Sequence, residues 1–119
     1  MAPKPFKKFL VTYHLTAAAR KQAAKMQKTM TPETQKAVMD AWGAWAKKCG
    51  EQLVDMGAPT GESLRLDNAG IGKAKAAVAG YSIVKAKSIA GAKNLFRKHP
   101  HLSWLDKGCS IEIHEMTPM

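Results

Sequence analysis

The sequence predicts an α+β domain in which a four-stranded antiparallel sheet carries two main helices on one face. Three observations lead to this fold class. An alternating apolar segment lies at residues 8–15, a complete amphipathic helix runs from Thr31 to Gly50, and a second alternating segment closes the chain at 109–116. With 119 residues, 45% of them hydrophobic, a single domain over 1–119 with a flexible N-terminus at 1–7 is expected.

The helix from Thr31 to Gly50 is the best-defined element. Thr31 can cap its start, Pro32 suits the first helical position, and Gly50 can stop it. Its apolar positions recur with helical spacing and are Val38, Ala41, Trp42, Trp45, Ala46 and Cys49. A stripe with two tryptophans needs a large apolar surface, which the predicted sheet would supply.

The remaining elements complete the expected order. They are a short or frayed surface helix (16–28), a short strand (51–56), an irregular hairpin or loop (60–78), a third strand (79–86), a helix from Ser88 to Pro100, and a loop (101–108). Strand–helix–strand–strand–helix–strand is the order of the ferredoxin-like βαββαβ fold, with the first and third strands central and the fourth beside the first.

One face of the sheet is predicted to lie under the helices and the other to stay uncovered. The residues expected on the uncovered face are Leu10, Thr12, His14, Ser82, Val84, Glu112 and His114. If His14 pairs with Ser110 on the last strand, Thr12 faces Glu112 and Leu10 faces His114. That register would put His114 at the far end of the sheet from His14.

Positive charge is concentrated in the first third of the chain. The formal net charge is +10, and residues 1–32 contain no acidic residue. The basic residues there are Lys4, Lys7, Lys8, Arg20, Lys21, Lys25 and Lys28. They could form a footprint for nucleic acid or an anionic substrate, or simply a solvated face. The lack of aromatic residues within 16–28 favours the solvated face, so a nucleic-acid partner is not expected.

Several function classes are disfavoured. No segment approaches the ~20 apolar residues of a membrane span, and the N-terminus lacks the apolar core of a signal peptide. A cytoplasmic protein without a membrane partner is therefore expected. Cys49 and Cys109 lack metal-ligand spacing and no nucleophile motif is present, so no cofactor or metal is expected.

Polar residues are predicted to gather at one edge of the sheet. The topology places together the end of the first strand, the end of the last helix and the start of the last strand. The residues concerned are His14, His99, His101, Trp104, Asp106 and Cys109. Three histidines at one edge suit proton transfer near neutral pH or a small-ligand pocket, although each could also be a polar rim residue. Asp40, off the apolar stripe, is either a solvated carboxylate or a contribution to this edge.

The order and spacing of several pieces resemble the YCII-related (DGPF-like) domain family. The pieces are Lys8–His14, Cys49-Gly50, Asp55–Pro59, Ala79–Ile83, Ser88, His99-Pro100 and Ile111–Glu115. The resemblance covers most of the chain from residue 7, although the Asp-Gly-Pro-Phe signature is reduced to Gly57-Ala58-Pro59. It implies a ferredoxin-like domain that dimerises sheet to sheet into an α/β barrel, and therefore a homodimer.

The resemblance also implies a site. Family members are proposed to pair a helix histidine with an aspartate just before a proline. In this chain Asp40 falls near the helix position and His99 precedes Pro100, so the pair would be exchanged, with His99 as general acid/base and Asp40 orienting it. The expected catalytic residues are His99, Asp40 and His14, and the expected substrate-binding residues are His101, Tyr81 and Trp104.

The leading functional hypothesis is a small-molecule enzyme with histidine acid/base chemistry of isomerase or lyase type. Relatives on the same barrel, which include muconolactone isomerases and dehydrochlorinases, move protons on small ring acids. Two alternatives stand beside it. One is a non-catalytic module that binds a small, possibly anionic, ligand. The other is a nucleic-acid binder that uses the basic N-terminal third.

Overall fold

The computed structural model describes residues 5–74, 78–105 and 107–118. In chain order its elements are β1 (Lys7–Leu15), α1 (Ala17–Thr29), α2 (Pro32–Cys49), β2 (Leu53–Asp55), β3 (Leu64–Asp67), β4 (Gly70–Lys73), β5 (Val78–Ala86), α3 (Ile89–Asn94), α4 (Pro100–Ser103) and β6 (Cys109–Glu115). A 3₁₀ turn at Gly50–Gln52 joins α2 to β2. Lys4, Asp106 and residues 75–77 of the predicted irregular stretch lie outside the described residues.

The strands confirm the predicted α+β class. Four strands form an antiparallel sheet in the order β2-β5-β1-β6, while β3 and β4 form a separate two-stranded hairpin. In the part of the chain that the structure describes, no helix is long and apolar enough to cross a bilayer.

Helix α2 begins and ends as predicted, but only its second half packs on the sheet. The Thr31 hydroxyl accepts a hydrogen bond from the Thr34 amide, and Gly50 ends the helix with a φ of 59°. Trp45 and Cys49 are buried, whereas Ala41 and the whole first turn are exposed. The apolar stripe is therefore shorter than its spacing indicated, because the helix extends past the edge of the surface that it covers.

The register of β1 with β6 follows the expected pairing, with His14 opposite Ser110 and Thr12 opposite Glu112. The register with β5 corrects one prediction. Ser82 and Val84 pair with Val11 and Phe9, so they lie on the helix-covered face and are fully buried. On the uncovered face, Tyr81 and Ile83 occupy the positions that were expected for Ser82 and Val84.

The second half of the chain differs from the prediction at Pro100. Helix α3 ends at Asn94, a turn follows, and Pro100 begins the short helix α4 instead of ending a long one. Lys98 takes a left-handed backbone conformation with a φ of 56°, which reverses the chain before His99. Part of the predicted loop at 101–108 is thus helical.

Two buried clusters stabilise this arrangement. The larger one joins α2 and α3 to the covered face of β1 and β5; its buried members are Phe9, Val11, Tyr13, Trp45, Cys49, Val84, Ala86, Ala92 and Phe96. In the smaller one, α1 packs against the end of the sheet; its buried members are Leu15, Ala19, Ala23 and Leu105. α1 is therefore a packed helix, anchored by the thin alanine stripe that the sequence shows.

The molecule is open on one side. It measures 55 × 46 × 20 Å with a radius of gyration of 16.3 Å, against about 13.5 Å for a compact domain of this length. Its accessible surface is 9052 Å², about 2,700 Å² more than a monomeric domain of this mass usually exposes. Much of the excess follows from an uncovered sheet face and a projecting β3–β4 hairpin whose residues are all exposed.

Candidate functional site

The structure brings three of the predicted histidines together. His99 immediately precedes α4, and its Nδ1 accepts a hydrogen bond of 3.0 Å from the His101 amide, which caps that helix. The His101 ring in turn donates from Nε2 to the carbonyl oxygen of His14, 3.0 Å away. The donor is assigned because a carbonyl can only accept. His14, His99 and His101 are thus linked through backbone and ring atoms.

His99 lies inside the protein, not in a pocket. It is 0% exposed, stacks on the Tyr13 ring with centroids 5.1 Å apart, and meets Trp42 and Trp45 edge-on at 4.5 Å each. The contact with α2 is therefore made in the middle of that helix. The start of α2 at Thr31 is about 16 Å further along its axis, so it does not lie at the histidine edge as expected.

Hydrogen-bond geometry determines the tautomer of His99. Ser82 Oγ donates to the Met56 carbonyl over 2.7 Å, so it accepts from the Tyr13 hydroxyl at 2.8 Å. The Tyr13 oxygen is then an acceptor for His99 Nε2, at a long 3.5 Å. Since Nδ1 already accepts from His101, the ring is the neutral Nε2–H form.

This environment opposes protonation of His99. Burial, together with a smaller effect of the neighbouring His101, lowers its pKa from 6.5 to about 3. A second proton would have to sit on Nδ1, where it would point at the amide hydrogen of His101. Burial also raises the pKa of the Tyr13 hydroxyl to about 12, although its bond with Ser82 acts the other way. The buried hydrogen-bonded side chains of Ser82, Tyr13 and His99 are therefore uncharged near neutral pH.

The His101 side chain is also buried, with 4% exposure. Burial lowers its pKa, and the hydrogen bonds with the carbonyls of His14 and Ser110 offset only part of that effect. Its ring tethers α4 to the end of β1. We conclude that His99 and His101 hold the backbone around His14 in place.

Of the three histidines at this edge, His14 is the accessible one, and it lies on the uncovered face. Its Nε2 lies 2.7 Å from the Thr12 hydroxyl and 3.7 Å from Oε2 of Glu112, and its side chain is 17% exposed. The other oxygen of Glu112 lies 3.3 Å from Nε2 of His114. Both histidines thus reach the same carboxylate although their positions on the strands are four residues apart. We call Thr12, His14, Glu112 and His114 the open-face cluster.

The remaining predicted site residues lie elsewhere. Asp40 is exposed on α2, and no ion pair within 4 Å joins it to His99 among the described residues. Trp104 packs beside the Leu15 cluster, where its indole Nε1 is buried without a hydrogen-bond partner. Tyr81 is half-buried opposite Thr12 on β5, so it borders the open-face cluster.

Four residues of this region were not among the predicted site residues: Thr12, Tyr13, Ser82 and Glu112. Thr12 and Glu112 could have been found, since the expected register already set them opposite each other and beside His14. Tyr13 and Ser82 carry no such signal, because their bond joins residues 69 apart in sequence and needs the β1–β5 register.

Metal ligation is another chemistry that clustered histidines can provide, and it needs several ligands close together. Within residues 5–74, 78–105 and 107–118, no three histidine, cysteine or acidic side chains are placed to hold a metal ion.

No model of a known protein family matches the chain, and no curated protein matches its sequence.

Proposed function

We propose that the protein is a small-molecule acid/base enzyme of isomerase or lyase type whose proton-transfer group is His14. The observation that carries the proposal is the placement of the His14 imidazole 3.7 Å from the Glu112 carboxylate on a half-exposed sheet face. Imidazole takes up and releases protons near neutral pH, and an adjacent carboxylate stabilises the imidazolium that forms.

A role for His99 as the proton-transfer group of this reaction has less support. Both nitrogens of His99 are engaged and the ring is fully buried, so a substrate proton could not reach it without opening the core. His14 has solvent access. His99 acts indirectly, through the cap on α4 and the His101 bond that holds the His14 carbonyl.

In the proposed reaction His14 removes a proton from a carbon next to a carboxylate or carbonyl group of the substrate. An isomerase returns the proton to a different carbon, and a lyase expels a leaving group from the neighbouring carbon. Glu112 holds the protonated ring, and Tyr81 contacts the substrate from β5.

We further propose a ferredoxin-like domain that pairs with a second copy through the uncovered sheet face, as the YCII-like resemblance implies. Two facts support this: β1 and β5 are the central strands, and the surface excess is larger than the roughly 800 Å² that a standard interface buries per partner.

Ile83→Asp would place a charge at the centre of that face. We expect a dimer by sedimentation for the parent chain and a monomer for this variant; a monomeric parent would contradict the proposal.

The acid/base role is tested by proton exchange, which needs no knowledge of the product. A panel of small ring acids and keto acids is incubated with the protein in D₂O, and loss of C–H signals is followed by NMR. His14→Gln should slow any exchange by about 10²–10⁴. His114→Gln is the matched control, because it removes a histidine that contacts the same carboxylate.

Other outcomes decide between the alternatives. Exchange that survives in His14→Gln but not in His99→Asn would restore His99 as the acid/base group. Ligand-dependent thermal stabilisation without exchange would favour the non-catalytic binding module. The nucleic-acid alternative rests on exposed Lys21, Lys25 and Lys28 of α1, and salt-dependent binding of single or double strands would be its evidence.

A further inference from the structure

A concave surface lies on the opposite side of the sheet from the open-face cluster. It is a groove of about 480 Å³ between the turn after α3, helix α4 and the outer edge of β6. Its size falls within the range of small-ligand sites. Strand β6 lies at one end of the order β2-β5-β1-β6, so the groove runs along an edge of the sheet.

The floor of the groove is apolar. Phe96 belongs to the buried core, Ile111 and Ile113 are half-buried, and Leu102 is 45% exposed at the rim. Ile111 and Ile113 point to this side because they pair with Tyr13 and Val11 on the covered face of β1. An apolar edge of this kind needs cover that the described part of the chain does not supply.

The rim carries two cations. Lys93 and Arg97 line the groove, and none of the described residues lining it is acidic. Among the described residues neither cation takes part in an ion pair within 4 Å. A guanidinium can hold a carboxylate through two parallel hydrogen bonds, as it can a phosphate.

We propose that this groove binds a small amphiphilic carboxylate, with its hydrocarbon part on Phe96, Ile111 and Ile113 and its carboxylate at Arg97 and Lys93. The site is separate from the acid/base site and does not depend on it, because the two lie on opposite faces of the sheet. An extended peptide along β6 or a second copy of the chain would be a different occupant of the same surface.

The test uses decanoate as the probe on the full chain, with two probes that separate tail from charge. Decyltrimethylammonium has the same tail and the opposite charge, and acetate has the carboxylate without the tail. By calorimetry we expect decanoate alone to bind saturably. The double variant Lys93→Gln/Arg97→Gln should weaken its binding about tenfold, whereas Lys47→Gln/Lys48→Gln, which removes two exposed charges at the end of α2, should not.

The free thiol of Cys109 reports where the probe sits, since Cys109 lines the groove and is half-buried while Cys49 is buried. Decanoate should slow alkylation of Cys109 by N-ethylmaleimide several-fold without changing that of Cys49. Equal binding of both alkyl probes, equal affinity in the two double variants, or unprotected Cys109 would each overturn the proposal. Loss of self-association in Lys93→Gln/Arg97→Gln would overturn it too, because the groove would then be an interface between copies.

Discussion

The two faces of the four-stranded sheet place histidine in opposite situations. On the covered face His99 is fully buried and both ring nitrogens have partners, so its neutral form is fixed. On the uncovered face His14 is partly exposed beside a carboxylate that can stabilise a charged ring. The two residues are connected through His101, yet one is enclosed in the core while the other reaches solvent. Burial and the direction of hydrogen bonds, not residue type, separate these roles.

The largest expected effect tests the structural half of this comparison. His99→Ala should lower the free energy of unfolding by about 4 kcal/mol, because it opens a cavity among aromatic rings and removes the cap of α4. His114→Ala, an exposed histidine on the other face, should change it by less than about 0.5 kcal/mol. Urea unfolding of both variants measures the difference, and similar values would abolish the distinction between the faces.

A pair of tyrosines gives the next comparison. Tyr13→Phe removes the acceptor of His99 Nε2 and the donor to Ser82 inside the core, and should cost about 2 kcal/mol. Tyr81→Phe removes the same hydroxyl on the uncovered face and should cost less than about 0.5 kcal/mol. Both values come from thermal or urea unfolding. A larger loss for Tyr81→Phe would show that the uncovered face is covered in solution by something that bonds to this hydroxyl.

The pH dependence of stability sharpens the comparison further. With a folded-state pKa of about 3 and an unfolded value of 6.5, His99 binds fewer protons when folded across that window. Stability is therefore fully present above pH 6.5 and falls as the pH drops toward 3, with a slope from this residue of at most about 1.4 kcal/mol per pH unit.

His99→Asn is the control for this pH effect, since its amide oxygen can still accept from the His101 amide but cannot titrate. Urea unfolding between pH 7 and 4 should show a shallower slope for this variant. Part of the slope should remain, because burial also lowers the pKa of His101. An unchanged slope would mean that His99 is protonated over this pH range in the folded protein, as it is in the unfolded protein.

Local pattern was sufficient to predict the parts of the fold that depend on neighbouring residues. Thr31, Pro32 and Gly50 mark the ends of α2 because caps act within one turn. The sequence predicts that Pro100 ends a helix, whereas it begins α4, because proline fits both the end of one helix and the first position of the next. Which applies depends on His99, whose ring provides the cap.

The side of the sheet that β5 buries could not be predicted from its own residues. Tyr81 and Ile83 are the larger apolar side chains, yet the strand buries Gly80, Ser82 and Val84 instead. The reason is space. A Cβ on Gly80 would approach the Ala58 carbonyl to 3.1 Å and the Tyr13 ring to 3.6 Å, so small residues on β5 leave room for the ring of Tyr13. This fit becomes visible only when β1, β5 and the loop before α4 are assembled.

The order β2-β5-β1-β6 has a consequence for how the chain can be divided. The β3–β4 hairpin separates β1 and β2 from β5 and β6, and each of the three ladders of the main sheet joins a strand before the hairpin to one after it. A cut in the exposed hairpin would therefore break no ladder, while neither fragment could form any part of the sheet alone. The two pieces would have to fold by mutual complementation, which makes the hairpin a natural position at which to split the protein into a two-part reporter.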